Sequence, residues 1–338
     1  MTRIAILGAG AIGSVLGGFL SRAGEDVTLI GRSEQVNAIH RSGLHIDGVS
    51  GSFVARLPVT NKLDFRPDFT FLTVKTQDVL TALQANKGFF TNTTLVTFQN
   101  GVRSDELAAT VVPRAQIISA VVNISATCLM PGKVTVTYPG SLVIGRPFGD
   151  RDTQLDSLVA LLQHVAPTSL SANIQGVHWL KLIFNLNNAF PALLNVSLHE
   201  VYADLYLREL AARVMREGLQ VVRQAGIRLE ALPEASVTLF QILGILPPPL
   251  AGWLLAFSVR RVRSEWPLLG STLQSLRRGR PTEIDYLNGE IVRLGEQLGR
   301  STPFNAAIVE MVHQVEQTGQ FWTVDEIRTK MTAAMRAK

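Results

Sequence analysis

Residues 177–190 read VHWLKLIFNLNNAF. At 100° per residue a helix places Lys181, Asn185 and Asn188 at offsets of 0, 4 and 7, one narrow stripe with His178 beside it. The other positions, Leu180, Leu182, Ile183, Phe184, Leu186 and Phe190, are apolar nearly all round, the pattern of a buried helix. A lysine inside such a helix is costly unless it is paired or used. The stripe therefore reads as a reacting site; the plainer alternative is a stripe turned to water. An ammonium held against a carbonyl oxygen would stabilise the charge left there by an arriving hydride and deliver the proton. Burial would lower its pKa and ease that delivery. Asn185 and Asn188 would orient a substrate through their amides.

A second group has the chemistry of phosphate binding. Gly8, Gly10 and Gly13, with Ala11 and Ile12 between them, form GAGAIG, a G-x-G-x-x-G pattern directly after the apolar run RIAIL and at the start of a helical stretch. That context makes the pattern informative. Gly8 permits the tight turn, Gly10 lets backbone approach a pyrophosphate, and Gly13 lets helix and strand pack closely. The helix N-terminus offers free N–H groups to the phosphates. The next apolar run, DVTLI, is followed by Gly31-Arg32-Ser33. A carboxylate at such a strand tip would favour the two ribose hydroxyls; a guanidinium instead suits a 2′-phosphate. The expected cofactor is NADPH/NADP+ rather than NAD. Lys75, after FTFLTV, and Asn100, after TLVTF, follow two further strands. Lys75 would reach a phosphate or the adenine, Asn100 the nicotinamide side.

A third motif, PTEIDYLNG at 281–289, puts Glu283 in the expected first turn of an amphipathic helix with Thr282 as its N-cap. Alone it reads as ordinary helix-start chemistry.

These groups need elements to hold them. Apolar runs at 3–7, 26–30, 69–74 and 94–98 alternate with helical stretches, which argues for a parallel sheet covered on both faces. QIISAVVNISATCLM and GKVTVTYPGSLVIG are later strands, the second resembling a hairpin around Pro139-Gly140. From about residue 174 the pattern is helical throughout. The expected fold class is α/β: a Rossmann dinucleotide-binding domain over 1–173 and an all-α domain over 174–338. Two domains suit 338 residues, and 46% hydrophobic against 17% charged residues excludes a disordered chain. The lone Cys128 allows no intrachain disulfide and points to a reducing, cytoplasmic setting. The start does not read as a signal peptide. The segment 237–259 carries no charge, but Pro247, Pro248 and Pro249 interrupt it, so two short apolar helices around a proline corner are expected rather than a membrane span. The net charge of +5 includes RRVR at 260–263 and RRGR at 277–280. Without interleaved aromatics these read as a solvated basic face, not a nucleic-acid surface.

ILGAGAIG, TVKTQD (73–78), FQNGV (98–102), WLKLIFN (179–185) and RPTEIDYLNGEIV (280–292), in this order and spacing, resemble the ketopantoate reductase (2-dehydropantoate 2-reductase) family. The resemblance implies a Rossmann domain with a helical domain like the C-terminal domain of 6-phosphogluconate dehydrogenase. It implies NADPH-dependent reduction of ketopantoate to D-pantoate, a step toward coenzyme A. It also implies Lys181 as the catalytic acid and Asn185 as a substrate contact. Glu283 would bind a substrate hydroxyl, Ser271 the substrate carboxylate, and Asn100 would lie between cofactor and substrate. A homodimer is the candidate assembly. Two departures bear on the substrate: the place eight residues after the lysine is Ala189, with Asn188 one step earlier, and the apolar stretch 237–266 is long. A bulkier 2-oxo acid, accommodated by that stretch, is the alternative; a non-catalytic NADP-binding sensor would require neither Lys181 nor Glu283.

Overall fold

A computed structural model describes residues 2–261 and 269–336. The chain forms two compact units, Met1–His178 and Trp179–Lys338. Helix α6, Ile174–Asn185, starts in the first and ends in the second.

The first unit holds strands β1 (Arg3–Leu7), β2 (Asp26–Ile30), β3 (Leu44–Gly48), β4 (Phe53–Ala55), β5 (Val59–Thr60), β6 (Phe69–Leu72), β7 (Thr94–Thr97), β8 (Ile117–Val122), β9 (Ser125–Thr127), β10 (Lys133–Tyr138), β11 (Leu142–Gly145) and β12 (Thr168–Leu170). Its helices before α6 are α1 (Ala11–Arg22), α2 (Ser33–Ser42), α3 (Val79–Ala85), α4 (Ser104–Ala109) and α5 (Thr153–Leu162). Eight strands form one sheet in the order β12-β11-β8-β7-β6-β1-β2-β5. Alternate residues of β1 face opposite sides, and both sides are buried. Ile4 and Ile6 join one core with Leu16, Leu20 and Leu29, while Ala5 and Leu7 join another with Leu72, Val79 and Leu83. That double coverage explains the unbroken apolar runs. Connections leave β1 toward β2 on one side and return to β6 on the other, which makes a topological switch point at the end of β1.

Two features differ from the sequence-based expectation. The large sheet is mixed, because β11 runs antiparallel to β8. The segment around Pro139-Gly140 is no hairpin. β10 pairs with β3 and β9 in a separate four-stranded sheet, whereas β11 pairs with β8 and β12 in the large one. The turn is real but hands the chain between sheets. Gly140 has φ +46°, and a Cβ there would lie 2.1 Å from the Asn123 carbonyl oxygen.

The second unit is helical: α7 (Ala189–Leu194), α8 (Leu198–Ala203), α9 (Leu205–Gln224), α10 (Val237–Ile245), α11 (Pro248–Arg261), α12 (Ser271–Arg277), α13 (Asn288–Gln297), α14 (Pro303–Thr318) and α15 (Val324–Arg336). Asp204 caps α9 by accepting from the Leu207 amide at 2.9 Å. The apolar stretch forms two helices. Leu246 and Pro247 make the corner, and Pro248 and Pro249 occupy the first turn of α11, where a missing N–H costs nothing. The Arg216 guanidinium donates to the Leu246 carbonyl. Gly252 brings α11 close to α9, since a Cβ there would lie 2.7 Å from the Arg208 carbonyl oxygen. The outer face keeps Ile245, Leu250, Trp253 and Phe257 exposed, with the last two rings stacked at 5.7 Å. Among the described residues no helix is long and apolar enough to cross a membrane. The parts of 237–266 and 260–263 beyond Arg261 lie outside the described residues.

Candidate active site

The loops after β1, β2, β6 and β7 leave four neighbouring parallel strands at the same edge of the sheet. The glycine turn is built as its spacing requires. Gly8 has φ +122°, and a Cβ on it would press on Val74 N at 2.7 Å and Thr73 Oγ1 at 2.9 Å. A Cβ on Gly13 would lie 1.9 Å from the Gly8 carbonyl oxygen, so α1 seats against the turn only with glycine there. Gly10 differs: nothing lies within 4 Å of where its Cβ would be. It precedes Ala11 and Ile12, the first residues of α1, which leaves an open cradle of backbone at a helix N-terminus. Thr73 Oγ1 donates to the Gly8 carbonyl at 2.7 Å, and Gln35 Nε2 donates to the Ala9 carbonyl at 2.7 Å.

Arg32 sits just past β2, at the N-cap position of α2. Its side chain is 70% exposed, and its guanidinium lies 3.7 Å from the Asp78 carboxylate. Lys75 precedes the short 3-10 turn Thr76–Asp78. Asn100 follows β7, where its carbonyl accepts from Thr76 Oγ1 at 3.2 Å. Gln99 donates to the Leu72 and Val74 carbonyls at 2.8 and 3.0 Å, tying the Lys75 and Asn100 loops together. The first turns of α6 are anchored in the same unit. His178 Nε2 lies 2.7 Å from Ser119 Oγ, and Ser119 donates to Asp105 at 2.8 Å. All three are buried.

Lys181 lies one turn further along α6 and is 9% exposed, Asn185 7%. Burial lowers the Lys181 pKa from 10.5 to about 8, against the pull of the Glu283 and Glu234 carboxylates, which raise it. The helix tightens after Asn185 into a 3-10 turn, Leu186–Asn188. At three residues per turn Asn188 still stacks over Asn185, and its Nδ2 donates to Asn185 Oδ1 at 3.2 Å. Ser271 opens α12, and Gly270 before it abuts Asn188: a Cβ on Gly270 would lie 3.0 Å from Asn188 Cβ.

Glu283 is not in the first turn of a helix. It precedes a separate 3-10 turn, Ile284–Tyr286, and α13 begins only at Asn288. Thr282 accepts from the Ile284 amide at 3.2 Å, so the Thr hydroxyl caps the small turn and leaves Glu283 outside α13. Asn288, fully buried, donates to the Leu186 carbonyl at 3.3 Å and to Asn305 Oδ1 at 3.0 Å. Asn305 in turn donates to the buried Glu217 carboxylate at 2.7 Å. This chain of polar groups fixes the end of the Lys181 helix against the PTEIDYLNG segment.

Glu234, Phe184, Gln99 and Asn288 were not legible as site residues. Glu234 lies in a loop with no pattern around it. Phe184 counted as core because of its helix, yet it is 50% exposed, with its ring 6.4 Å from that of Phe240.

A Rossmann-type sheet with a glycine turn at its switch point, followed in the chain by a helical unit with a buried lysine, defines the class of two-domain Rossmann oxidoreductases. The family model for Ketopantoate reductase PanE/ApbA matches residues 4–148, and that for its C-terminal part matches 173–316. The chain belongs to this family. It is 30% identical over 319 residues to a 2-dehydropantoate 2-reductase of Pyrococcus horikoshii, covering 94% of this chain and 98% of the relative. An Aquifex aeolicus protein of the same name is 29% identical, covering 92% and 96%. Among solved structures, a PanE/ApbA family ketopantoate reductase from Ralstonia eutropha matches with a TM-score of 0.76 at 29% identity, covering 93% and 98%. D-mandelate dehydrogenase with NADH and anilino(oxo)acetate shares the fold, with a TM-score of 0.81 at 24% identity over 94% and 99%.

Proposed function

We propose that the protein reduces ketopantoate to D-pantoate with NADPH, residues 1–173 binding the cofactor and 174–338 supplying the acid and substrate contacts. The observation that carries this reading is Lys181: an ammonium buried on a helix of the family's pattern, with a pKa brought down to about 8. The backbone cradle at Gly8, Gly10, Ala11, Ile12 and Gly13 fits a pyrophosphate, and Arg32 suits a 2′-phosphate with Lys75 as a second cation. The cofactor supplies the hydride. Lys181 donates a hydrogen bond to the substrate carbonyl oxygen and then its proton. Asn185, Asn188, Asn100 and Ser271 orient the 2-oxo acid, and Glu283 accepts from its hydroxyl. As part of the same reading, the exposed apolar face of α10 and α11 would be covered in a homodimer and the protein would work in the cytoplasm. Phe184, exposed one turn from Lys181 beside Phe240, favours a second reading, a 2-oxo acid with a bulkier apolar substituent. A panel of 2-oxo acids assayed with NADPH and NADH tests both. Ketopantoate with NADPH should give the highest kcat/KM; preference for an aryl 2-oxo acid would select the second reading, and no turnover of any would end both.

A further inference from the structure

The turn carrying Glu283 is held from one helix by two side chains. On α14, Glu316 Oε1 accepts from the Thr282 amide at 2.6 Å, and Oε2 lies 2.8 Å from His313 Nδ1. The other ring nitrogen, His313 Nε2, lies 2.9 Å from Asp285 Oδ1. Both flanks of Glu283 are therefore tied to α14, one directly and one through the imidazole. A neutral imidazole has one N–H and one lone pair; only the imidazolium donates to both carboxylates. Loss of its proton turns one of these contacts into a lone pair facing an anion.

We propose that His313 and Glu316 are positioning residues, and that the proton on His313 decides how firmly the Thr282–Asp285 turn presents Glu283 to the substrate. The proposal rests on the reading that Glu283 binds substrate. Other charges face the imidazole too. Arg293 and Glu296 of α13 line the same open groove, together with Glu310 one turn back on α14. Glu310 is held by Lys330 of α15 at 2.6 Å. Helix α7 carries no titratable side chain, and α9 reaches α14 at its other end, through Glu217. Desolvation lowers the His313 pKa, but the hydrogen bonds to Glu316 and Asp285 outweigh it, and the net shift is upward. The imidazolium therefore persists above the ordinary histidine range, and the clamp loosens as pH rises through the raised value.

The test compares wild type, His313→Gln and His313→Lys. KM for ketopantoate should rise with pH in wild type. It should stay low and flat in His313→Lys, whose cation persists, and high and flat in His313→Gln, by roughly 3–10-fold. The KM for NADPH should not move. A wild-type KM profile retained in His313→Lys overturns the proposal. A second readout needs no substrate: hydrogen-exchange protection of the Thr282 and Ile284 amides. Protection should fall in His313→Gln and persist in His313→Lys; equal protection in all three overturns the clamp itself. If Glu283→Gln turns over ketopantoate normally, the substrate role of Glu283 fails, and with it the link to KM, while the exchange data judge the clamp separately.

Discussion

Proposed as the acid of the reduction, Lys181 must act as an ammonium, and its pKa is about 8 where an ordinary lysine has 10.5. At about pH 9 only ~10% of such side chains carry the proton, against nearly all ordinary lysines. The kcat/KM for reduction should thus fall ~10-fold between about pH 7 and 9, and ~10-fold per unit beyond. Oxidation of the hydroxy acid needs the neutral amine as base and should rise over the same range. Burial is the largest cause of the shift; Glu283 and Glu234 oppose it. Removing one anion in Glu234→Gln should lower the pKa further and move the alkaline limb to lower pH. The same shift has a sign for stability. Between the folded and unfolded pKa values the unfolded chain holds more protons, so stability rises with pH in that window. Below it, burying the ammonium costs about 3 kcal/mol, so Lys181→Met should be more stable than wild type at about pH 7 by up to that amount. The assay is steady-state kcat/KM across pH in the His313→Lys background, with denaturant unfolding of Lys181→Met alongside. A flat profile to about pH 10, or a limb that moves to higher pH in Glu234→Gln, would refute the reasoning.

Arg32→Ala should weaken NADPH on the order of 10–100-fold while leaving NADH nearly unchanged, because an exposed charge pair to a phosphate is lost; titration of both nucleotides by fluorescence checks it. Asp78→Asn, which removes the anion beside Arg32, should strengthen NADPH binding modestly in the same titration. Gly13→Ala should lose nucleotide binding and several kcal/mol of stability, since its Cβ cannot fit 1.9 Å from the Gly8 carbonyl oxygen; thermal melts with and without NADPH read both effects. Phe184→Ala should raise KM for the 2-oxo acid several-fold if the ring touches substrate, and no change would remove that wall from the site.

The parts of the molecule legible in the sequence were those written in local periodicity. The glycine turn, the strands around it and the stripe of buried Lys181 and Asn185 with half-buried Asn188 follow from spacing within one element. The Asn185–Asn188 pair even survives the change from α to 3-10 winding, because both repeats bring i and i+3 together. What was illegible depends on contacts distant in sequence. Nothing local tells that β10 joins β3, about ninety residues earlier, rather than β11 beside it. Thr282 reads as a helix cap in either arrangement; the separate turn that carries Glu283 is held by contacts distant in sequence, with Glu316, 34 residues on from Thr282, and with His313, 28 on from Asp285. The charge of Glu234 raises the Lys181 pKa from a loop without pattern in the sequence.

On the proposed reading, Lys181 supplies the proton for hydride transfer and is not needed to hold the nucleotide. Single-turnover mixing of NADPH-loaded Lys181→Met with ketopantoate tests it directly. Wild-type NADPH affinity with transfer slowed by roughly 10³-fold or more is the predicted result; transfer at the wild-type rate would contradict it.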